Sequence, residues 1–163
     1  MDLVYFLLFM GAGFLVYWVI GRGVHRGAAV VTGAVTGNTR ARGLAAVHLE
    51  HKFSLPVDGR NLVDRLIETL ELGPAWRDSL MIDDLDDDRS SMAIAIGGRS
   101  PETAKFFVTT EATESGCSGS AGVVSWREVE GRITATEQIE RIHKHLRSAV
   151  SHLGGTVSEH ESK

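Results

Sequence analysis

The chain has 163 residues, a net charge of −4 and a single cysteine, Cys117. One thiol excludes an intramolecular disulfide and a cysteine-based zinc centre. Acidic and basic residues are scattered with no basic stripe, which argues against a nucleic-acid binder.

No charged residue occurs between Leu3 and Ile20. Eighteen helical residues reach roughly 27 Å, close to the ~30 Å hydrocarbon core of a bilayer. Tyr5 at one end and Tyr17 and Trp18 at the other suit the headgroup zones. A cleaved signal peptide needs a basic leading region and a small-x-small cleavage site. Here Met1-Asp2 leads the run and Gly21-Arg22-Gly23 follows it. Residues 1–22 are therefore expected to form a retained transmembrane anchor crossing the membrane from Leu3 to Ile20. Arg22, Arg26, Arg40 and Arg42 all follow the run, so the positive-inside rule places the N-terminus outside and the remaining chain in the cytoplasm. Gly11 and Gly13 are two apart and share no helix face, which leaves no clear dimerisation motif.

Residues 23–43 read either as a Gly-rich linker or as the first strand of a β-hairpin, with β-branched residues over Ala29–Val35, a turn at Gly37-Asn38 and a return strand starting near Leu44. Val47, Leu49, His51, Phe53 and Leu55 then alternate with His48, Glu50, Lys52 and Ser54, the pattern of a half-buried strand. Pro56 ends it. Asp58 or Asn61 can cap a helix whose apolar face is Leu62, Val63, Leu66, Ile67 and Leu70, stopped by Gly73-Pro74.

Short β-like runs follow at Leu80–Asp83, Met92–Ile96, Phe106–Thr110 and Val123–Val129, joined by polar connections as in an antiparallel meander. Thr134 and Glu137 have capping-box spacing. They open a helix striped by Ile139, Ile142, Leu146, Ala149, Val150 and Leu153, which Gly154-Gly155 terminates. The polar residues 156–163 are expected to form a disordered tail.

The expected fold class is thus α+β: one N-terminal transmembrane helix, then an antiparallel sheet packed against a short helix and a long C-terminal helix, with residues 44–155 as the cytoplasmic domain. The order of elements from Val47 to Leu153, with the opening HKFSLPVDGRNLVDRLIETL and a closing amphipathic helix, resembles the helix-grip arrangement of the START and Bet v 1-like superfamily. That resemblance implies an apolar ligand held between sheet and helix.

Chemistry-bearing clusters are few. Asp84, Asp86 and Asp88 have the alternate spacing that opens a calcium loop, but Arg89 stands where that loop needs Gly and Ala95 where it needs Glu. They read as a solvated hairpin tip, with a weak cation site as the lesser alternative. His48 and His51, three apart on a strand, face opposite sides. His51 falls on the apolar side, where a hydrogen-bonded core histidine is the ordinary outcome. His143 borders the stripe of the last helix and reads as an edge residue. The loop Gly116–Gly122 matches neither G-x-S-x-G nor a P-loop and reads as a flexible connection. Trp76 and Trp126 are the large aromatics of the domain and default to the core. If a ligand pocket exists, His51, Trp76 and Trp126 are its candidate lining.

No nucleophile, acid–base pair or cofactor motif stands out. With only Lys52, Lys105, Lys144 and Lys163 as lysines, and abundant Arg, Ala, Gly and Val, the composition has the bias of a GC-rich bacterial coding sequence. The expected function is that of a single-pass membrane protein whose small, non-enzymatic cytoplasmic domain binds a protein partner or assembles a complex, without a cofactor. The alternative is a membrane-tethered carrier or sensor of a lipid or other hydrophobic ligand.

Overall fold

The protein is described by a computed structural model that covers residues 39–97, 102–130 and 132–161. All but Thr39 belong to one compact unit, Arg40–Lys163. Residues 39–48 are helical (α1) and run directly into β1 (Leu49–Leu55). Then come α2 (Gly59–Thr69), β2 (Leu80–Leu85), β3 (Ser91–Gly97), β4 (Glu102–Thr113), β5 (Gly116–Trp126), the short pair β6 (Glu128–Val129) and β7 (Arg132–Ile133), α3 (Thr136–His152) and β8 (Thr156–Glu161).

The main sheet is antiparallel, with six strands in the order β2-β3-β4-β5-β1-β8. A meander from β2 to β5 forms one side. β1 enters beside β5, and β8 closes the other edge. The long β4–β5 hairpin turns at Gly116, whose φ of +143° favours glycine; a Cβ there would lie 2.0 Å from the Leu55 carbonyl oxygen. Midway along β5, Gly119 leaves room for the Phe53 ring, which a Cβ would meet at 2.6 Å.

The helices follow from their apolar stripes. Asp58 caps α2, its carboxylate accepting from the Arg60 N–H at 3.0 Å. Leu62, Val63 and Leu66 then face inward, each fully buried. Ile139, Ile142, Leu146 and Val150 do the same for α3, and each such burial stabilises by about 1.5–3 kcal/mol. Both helices pack on the sheet face formed by Phe53, Leu55, Met92, Ile94, Ile96, Phe106 and Val108.

The structure corrects the expected architecture. It is α+β, but among the described residues no helix is long and apolar enough to cross a membrane. The span expected over Leu3–Ile20 and the strand expected over Ala29–Val35 lie outside the described residues. Leu44 does not begin a return strand: residues 39–48 are helical, and β1 starts only at Leu49. The Ala-rich segment before His48 suits a helix better than a sheet. Gly116–Gly122 is part of β5 and not a flexible connection, because Cys117 and Ala121 alternate inward. Residues 156–161 form an edge strand and not a tail, with Val157 packed against the core. The Thr134–Glu137 capping box is not formed; Ala135 occupies the N-cap without a side-chain bond.

Candidate functional site

The polar groups of greatest interest lie inside the α3 side of the core. His51 from β1 and His143 from α3 are the buried polar residues among those described, 0% and 2% exposed. His51 Nε2 and His143 Nδ1 are 2.8 Å apart, and His143 Nε2 lies 2.9 Å from the Ala46 carbonyl oxygen of α1. The Phe106 ring meets His143 edge-on at 5.1 Å.

The bonding order fixes the tautomers. A carbonyl oxygen only accepts, so His143 Nε2 carries a proton and donates to Ala46. A neutral His143 then offers Nδ1 as an acceptor, and His51 Nε2–H donates to it. His51 Nδ1 is left with a lone pair, buried and without a hydrogen-bond partner. Burial pushes His51 down from 6.5 to about 4, helped by His143 and opposed by Glu159. Burial also lowers His143, against the opposing effect of its bond to Ala46. Both rings are therefore neutral at pH 7.

Glu159 of β8 lies directly opposite His51 in the antiparallel register, so the two share a face. Its carboxylate approaches His51 Nδ1 to 3.9 Å and accepts from Arg147 of α3 at 2.6 Å. That bond holds the Glu159 carboxyl below its ordinary value. A chain of polar groups thus runs Ala46–His143–His51–Glu159–Arg147, bonded at every link except the one between His51 and Glu159.

Among the described residues, two of the clefts lie elsewhere. One, of about 190 Å³, lies on the sheet face away from α2 and α3 and is lined by His48, Glu50, Phe107, Ser120, Gly122 and Val124 among others. Val124 is 60% exposed. The other, of about 440 Å³, lies at the start of α2 and is lined by Asp58, Asp88, Ser90, Thr110, Thr113 and Cys117. Cys117 is buried, and burial pushes its thiol up, with Asp58 adding to the effect.

The expected ligand residues are not brought together. His51 is packed on His143, Trp76 is half-buried in the connection from α2 to β2, and Trp126 stands at the end of β5, 39% exposed and 5.3 Å edge-on from His48. None of the three lines either cleft.

The aspartates serve their own hairpin. Asp84 accepts from the Leu85 N–H at 3.0 Å, Asp86 from Ser91 Oγ at 2.5 Å and Asp88 from the Ser90 N–H at 2.9 Å. Arg89, with φ of +58°, ties the tip to Asp64 of α2. Among the described residues no group of three or more His, Cys, Asp or Glu side chains is placed to hold a metal ion.

Sequence reading missed His143, Arg147 and Glu159 as members of one cluster. His143 lies four residues after Ile139 and three before Leu146, spacing that places it within the buried stripe. The fold and this cluster define an α+β domain with a neutral imidazole pair in its core. Comparison of the chain with protein-family models, curated proteins and solved structures gave no match.

Proposed function

We propose that this domain is a non-enzymatic module that binds a protein partner through the sheet face away from α2 and α3. The cleft between Phe107 and Val124 carries the reading. At about 190 Å³ it falls below the roughly 300–1,000 Å³ of small-molecule pockets, yet it is large enough for one inserted side chain. Its lining mixes apolar Phe107 and Val124 with polar His48, Glu50 and Ser120, the mixed composition of an ordinary protein interface.

The carrier alternative finds less support. The space between the sheet and the two helices, where such a ligand would lie, is filled by Phe106, Met92, Ile142 and Leu146, each 0% exposed.

The test compares wild-type full chain with Ser120→Arg, which puts a long side chain into the cleft, and with Glu68→Arg on the exposed side of α2. Partners retained by immobilised protein are quantified. A partner kept by wild type and Glu68→Arg but lost by Ser120→Arg is the expected result. Equal retention by all three, or a stoichiometric lipid on the chain in native mass spectrometry, refutes it.

A further inference from the structure

We propose that the His51–His143 pair makes the docking of edge strand β8 on β1 sensitive to acid: β8 is held while both rings are neutral and is released when a third proton enters the pair.

Proton count supports this. Two neutral rings hold two protons, one in each bond of the sequence His51 Nε2–H to His143 Nδ1 and His143 Nε2–H to the Ala46 carbonyl. A third proton has one vacant ring nitrogen to enter, His51 Nδ1, which is wholly buried. Several groups face the pair. From α3 come His143 itself, the Arg147 guanidinium and, farther off, Glu140; from β8 comes Glu159. From α1 the contact is the Ala46 carbonyl, from β5 the opposed residue is Ala121, and from β4 it is the Phe106 ring.

Within the closed structure the third proton is disfavoured. The Glu159 carboxylate attracts it, but Arg147 already pairs with that carboxylate and repels a second cation. Burial outweighs the attraction. Acid therefore favours any state in which Nδ1 reaches water.

β8 is the edge element whose departure achieves that. Glu159, 45% exposed at its side chain, stands between Nδ1 and solvent. β8 itself is an edge strand with one half-buried apolar residue, Val157, and five exposed positions. Opening it gives up the bonds to β1 and the Arg147–Glu159 pair while leaving α2 and the β2–β5 meander in place.

Hydrogen-exchange mass spectrometry on the full chain at pH 7 and pH 5, corrected for intrinsic rates, tests the idea. With His51 at about 4 in the closed state and 6.5 when exposed, opening of β8 rises roughly twentyfold between the two conditions. Protection of 156–161 is expected to fall by about that factor, while β3 and β4 change little. His51→Gln keeps an N–H for His143 but does not titrate, and is expected to flatten the profile. His160→Gln, on the outer side of the same strand, is expected to leave it as in wild type. Parallel loss across β8, β3 and β4, or flattening by His160→Gln alone, overturns the proposal. Should His51→Gln not fold, NMR titration of the wild-type ring decides: titration of His51 at or above 6.5 with β8 still protected refutes it.

Discussion

The two halves of the core are built on the same plan with different materials. α2 packs over β4 and β5 with Leu62, Val63 and Leu66, and β3 supplies Met92, Ile94 and Ile96; every one is apolar and fully buried. α3 packs over β1 and β8 with an equally regular stripe, but one of its positions is His143, and the facing strand supplies His51. The first half depends on area removed from water, which does not titrate. The second depends in addition on two rings remaining neutral. Buried polar groups are tolerated when bonded, and three of the four ring nitrogens are. The fourth makes this half conditional on pH.

The largest effect should come from the apolar half. Leu66→Ala is expected to lower the unfolding free energy by about 2–5 kcal/mol, with the same decrement in urea melts at pH 7 and pH 5. A decrement that changed with pH would break the separation between the halves.

The next effect belongs to the imidazole half. The folded-state value of His51 lies below its ordinary one, so between about 6.5 and about 4 the unfolded chain binds more protons. Its stabilisation is complete above 6.5 and declines as pH falls towards 4, by at most about 3 kcal/mol. Urea melts from pH 7 to 4.5 should show this decline in wild type and its loss in His51→Gln; identical profiles for the two would remove His51 as the cause. Glu159 works in a lower window. Its carboxyl is held down by Arg147, so its contribution is lost only as pH falls below the ordinary carboxylate value and through the lowered one.

The smallest effect sharpens the boundary. Arg147→Ala removes a half-exposed ion pair and should change stability by about 1 kcal/mol or less, while the Glu159 carboxyl rises in a carbon-13 titration. A loss of several kcal/mol would mean that Arg147 carries more of the α3 half than its exposure implies.

Much of the frame was legible in the residues. The alternation of His51, Phe53 and Leu55, a cap at Asp58 or Asn61 (Asp58 in the fold), both helix stripes and the strands over Leu80–Asp83, Met92–Ile96 and Phe106–Thr110 are local patterns that survive in the fold, whereas the strand expected over Val123–Val129 is divided between the end of β5 and β6 of the small second sheet. The failures have separate causes. Val47 and His48 continue the alternation of β1 backwards, yet they belong to α1, where the preceding Leu44-Ala45-Ala46 favours helix and Ala46 and Val47 pack into the core. β8 has almost no apolar signal because an edge strand outside the core needs little. The histidine cluster joins residues 92 positions apart, and only the pairing of β1 with α3 brings them together. Each ring could be placed on an apolar face from sequence; that the two faces meet could not.

The position of β1 in the sheet has a further consequence, in the time order of chain synthesis. β2 to β5 each pair with a strand adjacent in sequence, so each hairpin can close as soon as it has been made. β1 is made before all of them, yet its neighbours are β5 and β8, both far downstream. One edge stays without its partner until residue 116 and beyond has emerged, the other until the last strand has. Until β5 has emerged, an alternating apolar strand has two unpaired edges, the condition in which nascent chains are prone to associate wrongly. Through that interval, a buried-facing histidine, the half-buried Glu50 and the exposed Lys52 and Ser54 make β1 less adhesive than an all-apolar strand of the same length.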